Sequence, residues 1–130
     1  MSVFIKTTLK KQSLPNINFK KIKDEILGKD YELSLLICSD KLAQNLNKKY
    51  RKKSYIPNTL SFPYGQDSGE IILNVSQAKR EAKLFKHNFK QHLIFLFIHS
   101  LLHLKGMTHG YKMEKEERRY LAKFYKSVTE

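Results

Sequence analysis

The sequence has one cysteine, three prolines and five glycines in 130 residues, and 12 acidic side chains against 25 basic ones. A single cysteine excludes an internal disulfide framework. Its place in the apolar run Leu35-Leu36-Ile37-Cys38, with no cation beside it to stabilise a thiolate, marks it as a buried, unreactive thiol of a reducing compartment. No glycine-rich or proline-rich tract, internal repeat or low-complexity segment divides the chain, so it reads as one domain over residues 1–130. The longest apolar stretch, Leu93 to Leu104, is about twelve residues and contains His99, Ser100 and His103, short of the roughly 18 that cross a bilayer. The start, Met1-Ser2-Val3-Phe4-Ile5-Lys6, lacks the long apolar stretch and cleavage site of a secretory signal, and the expected location is the cytoplasm.

The shortage of acidic residues leaves a net charge of +13. On so short a chain this implies a polyanionic partner, with nucleic acid the first expectation and a membrane not expected. Hydrophobic residues make up 41% of the chain and charged ones 28%, which leaves enough apolar surface to offset the ordering entropy of folding.

The pattern along the chain predicts a strand over Val3 to Thr8. A helix capped by Asn16 or Asn18 follows, with apolar Phe19, Ile22, Ile26 and Leu27, and closes at Gly28. Leu33 to Cys38 reads as a strand buried on both faces. A helix over Leu42 to Tyr50 presents Leu42, Ala43, Leu46 and Tyr50 as one stripe and ends in Tyr50-Arg51-Lys52-Lys53, cations that complement a helix C-terminus. Thr59 to Phe62 and Glu70 to Val75 are β-type segments able to pair as a hairpin through a turn-rich loop. From Ser76 the pattern is helical to Lys105 with a break near His87-Asn88, and Met113 to Val128 forms a last amphipathic helix with Leu121, Phe124 and Val128 inward. Four strands among four or five helices indicate α+β or α/β, with a mixed sheet.

Three of the five histidines fall in His99-Ser100-Leu101-Leu102-His103-Leu104-Lys105-Gly106-Met107-Thr108-His109. On a helix, His99 and His103 lie about 40° apart and one turn along the axis, close enough to chelate one ion. Gly106 ends the helix and lets the chain turn back to bring His109 to the same point. Three imidazoles would leave a tetrahedral Zn²⁺ with an open position for water, whose pKa falls from 15.7 to about 7 on the metal. The His-x₃-His-x₂-Gly-x₂-His spacing also occurs in metzincin proteases, where a glutamate general base follows the first histidine. Here that residue is Ser100, which cannot act as the base, so peptidase chemistry is not expected. His92 shares the face of His99 about 10 Å away, too far for the same ion, and is a core or cleft-wall residue. His87 reads as surface. Ser61 lacks the base and elbow of a nucleophile.

The same segment resembles the His-Gly-x-Leu-His-Leu-x-Gly-Tyr-Asp-His motif of the YbeY-type rRNA maturation factors, a family of endoribonucleases. His99, Leu102, His103, Leu104, Gly106 and His109 coincide with it, whereas Ser100, Met107 and Thr108 depart. Leu46-Asn47-Lys48-Lys49-Tyr50-Arg51 and Asn58-Thr59-Leu60-Ser61-Phe62-Pro63 are similar to the family's Leu-Asn-x-x-Tyr/Trp-Arg and Asn/Asp-Val-Leu-Ser-Phe-Pro segments, and Gly69-Glu70-Ile71 to a Gly-Asp-Ile that precedes a strand. Pro57 stands where a threonine is usual.

The resemblance implies a zincin-like α+β fold, a mixed sheet of about four strands with helices around it, and the metal site on a central buried helix. It implies one Zn²⁺ per chain on His99, His103 and His109, and cleavage of single-stranded RNA in 16S rRNA 3′-end maturation and ribosome quality control, with rRNA or a ribosomal subunit as partner. By the same resemblance Arg51 is the catalytic arginine. Lys48, Lys52 and Lys53 are the candidate RNA-phosphate contacts, and Tyr55 and Tyr64 are open to base stacking. The alternative is a zinc-stabilised RNA-binding or ribosome-associated protein without catalysis. Three departures carry expectations: Thr108 removes a carboxylate beside the last histidine, the side chain of Ser100 occupies space that a glycine leaves open at the metal helix, and Pro57 alters the approach to the Leu60-Ser61-Phe62 strand.

Overall fold

A computed structural model describes residues 3–9 and 14–125. Its centre is β2 (Glu32–Cys38), the apolar run read from the sequence. β2 pairs in parallel with β1 (Val3–Thr7) on one side and with β4 (Ser68–Asn74) on the other. β3 (Thr59–Pro63) lies antiparallel on β4, with Thr59 opposite Leu73 and Pro63 opposite Gly69, so the expected hairpin forms and the order is β1-β2-β4-β3.

The two faces of this mixed sheet are unequally covered. Leu33, Leu35, Ile37, Ile71 and Leu73 enter the main core beneath the helices, where each large apolar side chain buried contributes about 1.5–3 kcal/mol. On the other face, among the described residues, only α2 (Asp40–Arg51) packs, over Cys38, Leu60 and Ile72. β2 is therefore not buried on both faces throughout: Ser34 is exposed and Leu36 half-buried, and the strand alternates until it reaches the cover of α2. Tyr50 also departs from its expected place in the α2 stripe. It is 60% exposed, with a 5.8 Å ring contact to Phe62 and the Lys49 ammonium 5.3 Å over its ring, and the buried residue one turn earlier is the polar Asn47.

α1 (Phe19–Leu27) starts at Asn18, whose Oδ1 accepts from the Lys21 amide, and ends at Gly28 with φ 96°. Within it Lys23 is wholly buried. Its Nζ donates to the carbonyls of Gly28 (2.9 Å), Lys29 (3.3 Å) and Tyr31 (2.7 Å) and pairs with Asp24 at 2.7 Å, tying the turn into β2. Tyr31 then packs on Gly69, where an added Cβ would stand 2.4 Å from its Oη and 3.0 Å from Leu104 Cδ2.

The helical stretch from Ser76 divides as expected into α3 (Val75–Leu84) and α4 (Phe89–Leu104). Asn88 begins the second by accepting from the Gln91 amide at 2.8 Å. α4 is apolar on nearly every side because α1, α3, the sheet and α5 (Tyr111–Phe124) all pack against it. The sequence places Val128 in the last helix, and that position lies outside the described residues. Among the described residues no helix is long and apolar enough to cross a membrane.

Candidate functional site

The buried core of α4 fixes the direction in which His99 and His103 point, and the chain leaves the helix at Gly106 with φ 105°. The Gly106 amide bonds the His103 carbonyl and the Met107 amide bonds that of Leu102, both at 3.0 Å. This reversal carries His109 back, so its ring centroid lies 5.2 Å from that of His99 and 4.8 Å from that of His103. One ring nitrogen from each residue falls within 4.8 Å of the other two, and the group can hold a metal ion.

The neighbours of the two helical imidazoles define their tautomers. His103 Nδ1 donates to the Met107 carbonyl at 3.1 Å, and His99 Nδ1 donates to the carboxylate of Glu117, a buried residue of α5. Both Nε2 atoms are left as lone pairs, yet they face each other at 3.1 Å. Two lone pairs at that distance repel unless a proton or a cation lies between them. Burial, and next the neighbouring His99, lowers the pKa of His103, which favours the neutral ring that a metal requires.

These three histidines line a cleft of about 620 Å³ together with Arg51, Tyr55, Asn58, Ser61, Glu81, Phe85, Glu114 and Glu117. Arg51 ends α2, and its Nη1 donates to Asn47 Oδ1 (3.1 Å) and Tyr55 Oη (2.8 Å). Asn47 is buried and held in turn by donating to the Tyr55 carbonyl at 3.0 Å. Thus the polar residue within the α2 stripe fixes the guanidinium. Lys48, Lys52 and Lys53 are exposed around the same helix end and flank the cleft without lining it. Lys52 takes the left-handed conformation, φ 60°, that turns the chain after Arg51.

The residues that depart from the expected motif find local partners. Ser100 is fully buried and its Oγ bonds Thr59 Oγ1 at 2.5 Å, so the extra side chain joins α4 to β3. Pro57 is buried, and its carbonyl accepts from Asn74 Nδ2 at 3.0 Å. Thr108 is exposed, but Glu114 and Glu117 supply cleft carboxylates from α5, one helical turn apart. Sequence reasoning missed both. Their three-residue spacing on the α5 face opposite His99 is the signal that could have found them. His92 is wholly buried with Nε2 3.1 Å from Glu81, as the core reading requires. His87 corrects its surface reading: it is half-buried, with Nδ1 3.0 Å from His92 Nδ1, because the bend after α3 folds it back on α4.

A model of the family described as Endoribonuclease YbeY matches residues 4–127. The chain belongs to the YbeY family. Among YbeY relatives, the Endoribonuclease YbeY of Alkaliphilus metalliredigens is 39% identical over 101 residues, covering 69% of this chain and 65% of its own length, just under two thirds. That of Petrotoga mobilis is 33% identical over 123 residues, covering 86% and 85%. The solution structure of TM1509 from Thermotoga maritima superposes with a TM-score of 0.69 at 25% identity, over 94% of this chain and 88% of that one. The mixed sheet, the helices around it and the histidine group at the end of α4 fit the zincin-like α+β arrangement expected for YbeY proteins.

Proposed function

We propose that this chain is a single-domain endoribonuclease that cuts single-stranded RNA with one Zn²⁺ held by His99, His103 and His109. The observation that carries this reading is the meeting of Arg51, from the end of α2, with the three histidines of the α4 end in one cleft. Tetrahedral Zn–N bonds of 2.0–2.1 Å place ligand nitrogens about 3.3 Å apart. The 3.1 Å between the two Nε2 atoms suits that spacing. When bound, the ion supplies Lewis-acid charge to a phosphoryl oxygen and acidifies a water.

The chain's own residues do the rest. Both side-chain bonds of Arg51 use Nη1, so Nη2 and Nε remain to meet two oxygens of the scissile phosphate as negative charge develops there. Glu114, exposed in the cleft, is the carboxylate that would accept a proton there, a role the Thr108 hydroxyl cannot fill. Lys48, Lys52 and Lys53 hold the strand through its phosphates, consistent with a net charge of +13. Membership of the YbeY family supports a role in 16S rRNA 3′-end maturation and ribosome quality control in the cytoplasm, with rRNA or a ribosomal subunit as the partner.

The test is cleavage of a single-stranded RNA by metal-quantified protein and by its His103→Ala variant. The expected result is one zinc per parent chain and a folded variant that has lost both metal and cutting. A zinc-loaded parent that binds RNA without cutting it would favour the non-catalytic alternative.

A further inference from the structure

Phe85 is a half-exposed aromatic residue of the cleft to which the proposed chemistry gives no role. It follows α3, is 52% exposed, and lines the same cleft as Arg51 and the three histidines. The unexposed side of the ring rests on other rings, with centroids 4.9 Å away for His92, 5.7 Å for Phe95 and 5.8 Å for His87. Phe95 continues the series to His99 at 6.4 Å.

This support is fixed by polar bonds rather than by apolar packing alone. His92 Nε2 meets the Glu81 carboxylate at 3.1 Å and His92 Nδ1 meets His87 Nδ1 at 3.0 Å, while Asn58 Nδ2 donates to both oxygens of Glu81 at 3.1 and 3.2 Å. The backbone is equally determined. The Phe85 amide bonds the Glu81 carbonyl at 3.2 Å, Lys86 adopts φ 56°, and the His87 amide closes the turn on the Ala82 carbonyl at 2.9 Å. A ring held this rigidly loses little freedom when something flat lies on its open side.

A second half-exposed ring, Tyr55, lines the cleft from the loop after α2, and its hydroxyl accepts from Arg51. We propose that Phe85, with Tyr55, forms a nucleobase-stacking subsite that makes this cleft select unpaired RNA. The argument for a base as occupant is charge complementarity. A ligand that reaches these rings must also suit the Arg51 guanidinium on a chain of net charge +13, and a nucleotide brings a flat π-face and a phosphate together. Stacking on aromatic side chains tolerates every base, but requires that the base be free of its own helix, so the subsite rejects duplex RNA by its geometry.

The inference rests on the RNA reading, and the experiment separates the two. Affinity is measured by fluorescence anisotropy on the zinc-loaded protein in the cold, with each strand checked to be intact on a gel afterwards, for a labelled single-stranded oligoadenylate and for an abasic strand of the same phosphate count. The expected result is that the parent prefers the oligoadenylate, that Phe85→Ala weakens this binding about tenfold and leaves the abasic strand unchanged, and that Phe85→Trp restores it. Equal losses on both strands, no loss on either, or a lower Tm with unchanged affinity would overturn the stacking subsite and leave RNA binding standing. A parent that binds neither strand would overturn the RNA reading itself.

Discussion

Removing the carboxylate behind His99 tests how the histidine group is organised. Glu117 is 7% exposed and accepts from His99 Nδ1, which fixes the tautomer and leaves Nε2 as the ligand atom. Losing such an outer carboxylate lowers metal affinity about 10- to 100-fold, or about 1.4–2.7 kcal/mol, so Glu117→Ala is expected within that range. An amide oxygen in Glu117→Gln still accepts the Nδ1 proton, but a neutral bond is about half as strong as a charge-assisted one, so the loss shrinks to about 3- to 10-fold. Zinc affinity is read by competition with a chromophoric chelator, with circular dichroism of the metal-free proteins to establish that each is folded. The reasoning fails if both folded variants bind zinc as the parent does, or if the Gln variant binds as weakly as the Ala variant.

Other expectations concern the scaffold and its charges. Tyr31 Oη is buried without a hydrogen-bond partner among the described residues. Tyr31→Phe should therefore stabilise the fold by about 1 kcal/mol, raising Tm by about 4 °C, and a lower Tm in a thermal melt would show that the hydroxyl is satisfied. Burial raises the Cys38 thiol to about 11, so it should react with a disulfide reagent near neutral pH only as fast as the protein opens. Rapid labelling of native protein would place it at the surface. Hydrogen bonds from Lys20 and then Lys23 hold the Asp24 carboxyl at about 2 against an ordinary 3.8. A depressed carboxyl pKa stabilises the folded state above the unfolded value, so this contribution is whole above about pH 4 and lost as pH falls through about 2. Replacing Asp24 by Asn should remove that part of the acid sensitivity, read as the change in urea midpoint between pH 5 and pH 2.5, and an unchanged difference would count against it.

Much of this architecture is written in local patterns. The four-residue spacing of His99 and His103, with Gly106 after them, dictates a helix end that returns on itself, and the turn-rich loop after Pro63 dictates the β3–β4 hairpin. What local pattern does not carry is which element covers which face. Leu36 lies in an apolar run and Tyr50 in the apolar stripe read for α2, yet one is half-buried and the other exposed because, among the described residues, α2 alone covers that side of the sheet. The same limit explains the site residues that were missed. Glu117 meets His99 from 18 positions away, and Phe85 reaches the cleft through the bend between α3 and α4. Lys23 is the sharpest case, since a lysine in an amphipathic helix reads as solvated until the turn after α1 that it ties becomes visible.

The central claim is that Arg51 and the histidine group serve one reaction in one cleft while depending on separate supports. Arg51 is held by Asn47 and Tyr55, and the histidines by α4, Met107 and Glu117. The most direct measurement is the cleavage rate of single-stranded RNA by Arg51→Ala with zinc quantified in the same sample. The account predicts full zinc content and a rate lower by about 100-fold or more, the size of losing one charge-stabilising donor. An unchanged rate, or zinc lost together with the rate, would contradict it.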